Sequence, residues 1–153
     1  MNIGPYINED NLPKSKIKGS EYDEYLYQDE LKNTGAYPDQ ESFDKAVDKA
    51  EIVYISDFSE IENTDADKQK KGDYKFLIDT LWEYKKTAYK SKDEYEKYLS
   101  GLIEDSKADE AGFSLLADMD NGIRLVGGNT RAMIHRFLGK PVPVKIIPMK
   151  TSK

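Results

Sequence analysis

The sequence predicts an α+β protein in which a sheet is flanked by helices and preceded by an irregular N-terminal arm. Apolar residues recur at helical spacing over residues 43–50 and 74–103, and short β-branched runs stand on either side of the second stretch. Near the C-terminus an Asn-Gly pair separates two apolar runs. Apolar spacing of 3.6 residues indicates helices, whereas short β-branched runs and Asn-Gly turns indicate strands and hairpins.

The arm comprises residues 1–41, and the domain comprises residues 42–153. The arm is rich in Pro, Gly, Asn, Asp and Tyr, and only "SEYDEYLYQDEL" has some helical spacing. We therefore expect an irregular segment that contains one short helix.

The domain is predicted to open with a short helix capped by Ser42 and followed by a strand. Its apolar positions are Phe43, Ala46, Val47 and Ala50. The run "EIVYI" at residues 51–55 is β-branched and aromatic, which is typical of a strand. Residues 56–73 have little apolar content and predict a polar connection with at most one helical turn.

Two amphipathic helices are predicted next. The first has its apolar stripe at Tyr74, Leu77, Ile78, Leu81, Tyr84 and Ala88. The second follows a capping box formed by Ser91 and Glu94. It is expected to bury Tyr95, Tyr98, Leu99, Leu102 and Ile103. The tyrosines of both helices are predicted to pack in the core.

The C-terminal part is predicted to form a hairpin, a glycine turn, a short helix and a strand. Asn121-Gly122 favours a tight hairpin turn. Gly127-Gly128 precedes a helix from about Thr130 to Leu138, which Gly139 ends. In the last strand one face is expected to carry Val142, Val144 and Ile146.

Composition excludes several classes of protein. The 153 residues include no cysteine, so disulfides, thiolate metal sites and cysteine nucleophiles are excluded. The start "MNIGPYINED" lacks the features of a secretory signal, and no apolar run is long enough to span a membrane. We therefore expect a cytoplasmic protein that makes no membrane contact.

Charge is unevenly distributed along the chain. Residues 1–120 hold all 29 acidic residues and 16 of the 23 basic ones, a net charge of −13, whereas residues 121–153 hold seven basic residues and no acidic residue. This division predicts either an anion-binding end or a basic segment that balances the acidic part within one fold.

The glycine turn carries residue types suited to phosphate. A helix N-terminus offers unpaired N–H groups and roughly half a positive charge, and glycines let an anion approach the backbone. Arg131 in the first turn opposes that dipole, which suggests an anion bound beside it. Asn129 or Thr130 is expected to cap the helix or contact the anion.

The rest of the short helix divides between core and surface. Ile134, Phe137 and Leu138 are predicted to be buried and Arg136 to be a solvated charge. His135 lies four residues after Arg131, on the same face. It is either a phosphate ligand or proton carrier, or an exposed side chain with no such role.

The segment "GIRLVGGNTRAMIHRFLGKPVPVKII" resembles the signature of the ParB/sulfiredoxin superfamily. The resemblance covers Phe113 to Pro148 and extends more weakly to "VYISDFSEI". It implies a small mixed sheet flanked by helices, with nucleotide phosphates bound at the turn. Asn129 stands where sulfiredoxin requires cysteine, so sulfinic-acid chemistry is absent. The "GGNTR" form is closer to stand-alone, phage-type ParB-like domains.

The resemblance implies a protein that binds a nucleoside di- or triphosphate at Gly127, Gly128, Asn129, Thr130, Arg131 and His135. The chemistry would be that of a nucleotide hydrolase, phosphotransferase or nuclease. By analogy with kinase relatives, Glu60 or Glu62 would act as the base. Further candidates to hold Mg²⁺ are Asp65 and Asp67 in the same loop as these glutamates, and Asp118 and Asp120 near the hairpin.

Two further functions are compatible with the sequence. One is a binding or regulatory module that uses the same anion site without catalysis. The other, with DNA as partner, is disfavoured because the charge of residues 1–120 repels a duplex.

Overall fold

The structure is a computed structural model that describes residues 37–108, 112–119 and 122–149. The helices are α1 (Gln40–Lys49), α2 (Tyr74–Lys85), α3 (Lys92–Lys107) and α4 (Asn129–Leu138). The strands are β1 (Val53–Ile55), β2 (Ile61–Glu62), β3 (Ser114–Met119), β4 (Gly122–Gly127) and β5 (Val142–Pro148), and a 3₁₀ turn spans Ala66–Lys68.

The strands form one mixed sheet in the order β1-β5-β3-β4-β2. The β3–β4 hairpin is antiparallel, and β5 lies parallel to β3 on its other side. β1 pairs antiparallel with β5, and β2 pairs parallel with β4. The predicted α+β class is therefore confirmed. The two-residue strand β2 was not predicted, because two residues carry no measurable alternation.

Each face of the sheet has its own apolar core. Helices α2, α3 and α4 pack on one face and α1 packs on the other. Neighbouring strand residues enter opposite cores, as Leu116 and Leu115 do, because side chains alternate along a strand. The expected common face of β5 is confirmed, since Val142, Val144 and Ile146 belong to the same core.

Helix α1 begins two residues before the predicted cap. The side chain of Asp39 accepts a hydrogen bond from the backbone N–H of Ser42, so Asp39 is the N-cap. The predicted boundary between arm and domain at residues 41 and 42 falls inside α1. The arm's predicted short helix, at residues 20–31, lies outside the described residues.

Several predicted local signals are confirmed. Ser91 caps α3 by accepting from the N–H of Glu94, and Gly139 ends α4 in the left-handed conformation. The hairpin pairing of β3 with β4 is also present, although residues 120–121 of its turn lie outside the described residues. In α4, Ile134 is buried, whereas Phe137 and Leu138 are only half-buried.

Basic residues after position 120 bind backbone carbonyls of earlier elements. Lys145 donates to the carbonyl of Val47 in the last turn of α1, and Lys140 donates to that of Ser106 near the end of α3. Helix C-termini present unpaired carbonyls and a partial negative charge that favour cations. Part of the charge asymmetry is therefore helix capping within one fold.

Arg136 behaves in the same way, so the prediction of a solvated charge is wrong. Its side chain is half-buried and donates to the carbonyls of Ser56 and Ala66. These bonds attach the segment after β1 to α4.

Within the described residues, no helix is long and apolar enough to cross a membrane.

Candidate functional site

The glycine turn connects β4 to α4 through Gly128, whose φ of +84° is left-handed. A Cβ there would lie 2.8 Å from Cα and Oγ of Ser114. The Ser114 hydroxyl donates to the carbonyl of Gly128 over 2.7 Å. Glycine is therefore required because β3 packs against the turn, a reason that differs from the expected close approach of a phosphate.

The first turn of α4 leaves backbone donors unpaired. Gly128 is the N-cap and has no side chain that could accept from them. The first N–H to reach a helix carbonyl is that of Ala132, which bonds Gly128. The N–H groups of Asn129, Thr130 and Arg131 precede it and have no partner within the helix, as at any helix N-terminus.

These donors border a cavity of about 670 Å³, which we call the Gly128 cleft. Its walls are residues 125–131 on one side and residues 63–65 after β2 on another. The remaining wall comes from the end of α2 and from α3, and comprises Leu81, Tyr84, Lys85, Tyr98 and Leu102. The cleft thus contains every predicted turn residue from Gly127 to Arg131.

Residues 63–65 are attached to the turn by hydrogen bonds. Asn63 has a φ of +65° and donates from its side chain to the carbonyl of Leu125 over 2.8 Å. The Thr64 hydroxyl donates to Oδ1 of Asn129 over 2.6 Å, and the N–H of Asp65 also points to that atom. The Asn129 side chain therefore holds this loop, and Gly128 instead of Asn129 is the N-cap of α4.

The cleft carries two cations without protein partners. Within the described part of the chain, neither Arg131 nor Lys85 forms a hydrogen bond or ion pair with its side chain. Arg131 also lies in the first turn of α4, where the helix dipole disfavours a positive charge. These two cations and the three N–H groups that have no partner within the helix give the cleft the character of an anion site.

One carboxylate lines the same cleft as these cations. Asp65 lines the cleft and accepts a hydrogen bond of 2.8 Å from the hydroxyl of Tyr84. That hydrogen bond, together with burial and the charge of Asp65, raises the pKa of Tyr84 above its ordinary value. The bond joins the end of α2 to the loop after β2.

The tyrosines of α2 and α3 do not all pack in the core, contrary to the prediction. Tyr84 is 63% exposed and Tyr98 is 48% exposed, and both line the cleft. Tyr95 is fully buried beneath it, and burial raises its pKa to about 12. Among the described residues its hydroxyl has no partner at hydrogen-bond geometry, although the nearby Thr130 side chain acts to lower that pKa.

The predicted catalytic glutamates lie outside the cleft. Glu60 and Glu62 are exposed and neither lines it. Ile61 points into the core, so alternation along β2 turns Glu62 to the opposite face of the sheet. Its carboxylate lies near Gly122 at the far end of the hairpin. Among the carboxylates of this loop that were candidates to hold Mg²⁺, Asp65 is the one that lines the cleft.

Asp118, one of the two predicted metal ligands, is also not at the cleft. Asp118 lies near the hairpin turn, where it pairs with Ile123. Gly127, which lines the cleft, pairs with Leu115, and Leu115 precedes Asp118 by three residues along β3. At about 3.4 Å per residue this is roughly 10 Å. Asp120 lies outside the described residues. Among the residues described, no group of three or more His, Asp or Glu is placed to hold a metal ion.

His135 is buried, so its interpretation as an exposed side chain is wrong. It is 2% exposed, and its Nδ1 lies 2.9 Å from the carbonyl oxygen of Arg131. It does not line the cleft, although it lies on α4. Because His135 follows Arg131 by four residues in the helix, its ring lies beside the backbone carbonyl of Arg131. The Arg131 residue itself lines the cleft.

Comparison of the chain with protein-family models, curated proteins and solved structures finds no match.

Proposed function

We propose that the Gly128 cleft binds the phosphate groups of a nucleoside di- or triphosphate and that the protein acts in phosphoryl or phosphodiester chemistry. The observation that carries this proposal is a pair of cations, Arg131 and Lys85, whose side chains have no partner among the described residues and which line the cleft with the N-terminal turn of α4. Helix N-termini and arginine side chains are common phosphate ligands.

The size and walls of the cleft support a ligand larger than inorganic phosphate. Small-molecule sites commonly enclose about 300–1,000 Å³, and the cleft encloses about 670 Å³. The exposed rings of Tyr84 and Tyr98 offer apolar surface to the rest of the ligand. The resemblance of residues 113–148 to the ParB/sulfiredoxin superfamily favours the same ligand class.

For the chemical step we propose Asp65 in place of Glu60 and Glu62. Phosphoryl transfer requires neutralisation of charge and a group that orients or deprotonates the nucleophile. Mg²⁺ is commonly held by one or two carboxylates together with substrate phosphates, and Asp65 supplies one carboxylate at the cleft. Such an ion would neutralise charge on the phosphates, while Arg131 and Lys85 orient them.

The second candidate is a binding module that uses the cleft without catalysis. The observation that favours it is the hydrogen bond from Tyr84 to Asp65, which already occupies the cleft's carboxylate. Binding of DNA is less well supported, because Arg136, Lys140 and Lys145 are engaged with backbone carbonyls.

Binding is tested by calorimetry with nucleoside di- and triphosphates in the presence of Mg²⁺. Arg131→Met should weaken binding by about 1.5–3 kcal/mol, the loss of a charge-assisted hydrogen bond. Lys85→Met should weaken it to a smaller extent. The matched control is Lys97→Met, which removes the same charge from an exposed site on α3 that does not border the cleft. Equal affinity in all three variants would contradict the proposal.

Catalysis is tested separately from binding. Asp65→Asn should abolish nucleotide turnover, phosphotransfer or strand cleavage while nucleotide binding persists. A double variant with Glu60→Gln and Glu62→Gln should retain activity, since neither residue lines the cleft. A protein that binds nucleotide and shows none of these activities with Mg²⁺ or Mn²⁺ would be the binding module.

A further inference from the structure

A second cavity, of about 540 Å³, lies at the opposite end of α4, and we call it the Gly139 cavity. It shares no lining residue with the Gly128 cleft. Its walls are Ser56 after β1, the 3₁₀ turn and the segment that follows it, the end of α4 and the residues that lead into β5. Of its lining residues, sequence reasoning singled out Asp67 alone for binding, as a candidate Mg²⁺ ligand.

The Gly139 cavity is strongly basic. Lys70, Lys71, Arg136 and Lys140 line it, and Asp67 is the acidic residue among its lining. Arg136 and Lys140 also donate to backbone carbonyls. The side chains of Lys70 and Lys71 have no hydrogen-bond or ion-pair partner within the described residues. The lining thus carries a net charge of +3, which suits a dianion.

Lys71 is held at the rim by the end of α4. Gly139 has a φ of +74°, and a Cβ there would lie 2.7 Å from Cδ of Lys71. The lysine stem therefore crosses α4 at the glycine, where a larger residue would displace it. This contact restricts the positions that the ammonium group can reach beside the cavity.

Gln69 is the buried residue of the lining, with 1% of its surface exposed. Its Nε2 donates to the carbonyls of Lys70 and Asp73, each over 2.9 Å, which fixes the orientation of the amide. Its Oε1 has no donor within hydrogen-bonding distance among the described residues. A buried acceptor without a donor is costly, so a donor is expected at this position.

We propose that the Gly139 cavity binds a small phosphate monoester that carries hydroxyl groups. The phosphate lies beside Lys70 and Lys71, and a ligand hydroxyl donates to Oε1 of Gln69. A plain anion would satisfy the lysines and leave Gln69 unpaired. A neutral polyol would satisfy Gln69 and leave the charge of the cavity unused.

The test compares two ligands that differ in their hydroxyl groups, glycerol 3-phosphate and propyl phosphate. Affinities are measured in a variant with both Arg131→Met and Lys85→Met, so that the Gly128 cleft does not contribute. Glycerol 3-phosphate should bind about tenfold more tightly than propyl phosphate, the effect of one satisfied buried acceptor. Its binding should also shift the NMR signals of the Gln69 side-chain amide.

Variants at the rim examine the charge. Lys71→Met keeps the stem over Gly139 and should weaken glycerol 3-phosphate binding about tenfold. Lys97→Met removes one charge from α3 and should leave binding unchanged. Equal affinities for glycerol 3-phosphate, propyl phosphate and inorganic phosphate would overturn the proposal, as would an unaffected Lys71→Met variant. Absence of binding with unmoved Gln69 signals would also overturn it.

Discussion

The two ends of α4 contain the same residue types in opposite circumstances. Each end has a left-handed glycine, an arginine nearby and a cavity beside it. Arg131 lies where the helix dipole disfavours a cation and has no partner within the described residues. Arg136 lies where the dipole favours a cation, and it binds two carbonyls. An arginine without a local structural role is the stronger indication of a ligand.

The two glycines differ in what surrounds them. Gly128 faces the backbone of Ser114, which cannot move without disturbing β3. Gly139 faces the flexible stem of Lys71. The first glycine is therefore required by the fold itself, and the second only by helix termination and by the position of one side chain.

The largest expected effect separates these two glycines. Gly128→Ala should lower the free energy of unfolding by about 2–5 kcal/mol, because left-handed strain and overpacking add. Gly139→Ala should lower it by only about 1–2 kcal/mol, since Lys71 can shift. Urea denaturation of both variants measures the difference. Equal losses would mean that the turn at Gly128 is not packed against β3.

An intermediate effect separates the two arginines. Arg136→Met should cost about 1.5–3 kcal/mol of unfolding free energy, because two carbonyls lose a charged donor. Arg131→Met should change stability by no more than about 0.5 kcal/mol. Thermal and urea denaturation of the two ligand-free variants measure both changes in stability. A destabilised Arg131→Met variant would show that this arginine is structural.

The smallest effect concerns Tyr95, which lies beneath the N-terminal end of α4. Its pKa of about 12 exceeds the ordinary value of 10.0, chiefly because of burial. The folded state therefore holds the phenol proton more tightly than the unfolded state does. The resulting contribution to the free energy of unfolding is fully present below pH 10 and is lost as the pH rises through 12. Tyr95→Phe should reduce this alkaline loss and change stability at pH 7 by no more than about 0.5 kcal/mol. Circular dichroism from pH 8 to 12.5 tests both expectations.

Patterns with strong local causes were predictable. The β3–β4 pairing, α4, its Gly139 cap and the common face of β5 follow from an Asn-Gly pair, a glycine pair and alternation in one short segment. The walls of the Gly128 cleft near Arg131 were predictable for the same reason, because their residues are consecutive.

Features that depend on distant parts of the chain could not be predicted. β2 exists because β4 offers it a partner, and that pairing brings Asp65 to the cleft while Glu62 faces away. Helical spacing places Tyr95 and Tyr98 near one another, yet only the packing of α3 decides which ring is buried. Arg136 binds the carbonyls of Ser56 and Ala66, which the sequence alone does not place beside α4.

The order of strands also constrains when the chain can fold during synthesis. Both edge strands are synthesised early, but the strands that pair with them are synthesised late. Val53 cannot pair until Val144 has emerged from the ribosome, and Ile61 cannot pair until Ile123 has emerged. Until β5 emerges, the apolar faces of α1, α2 and α3 have no completed sheet to cover them. Pairings between distant segments slow folding and expose nascent chains to aggregation. A ribosome-bound chain that stops before Val142 is therefore expected to be sensitive to proteases and to recruit chaperones.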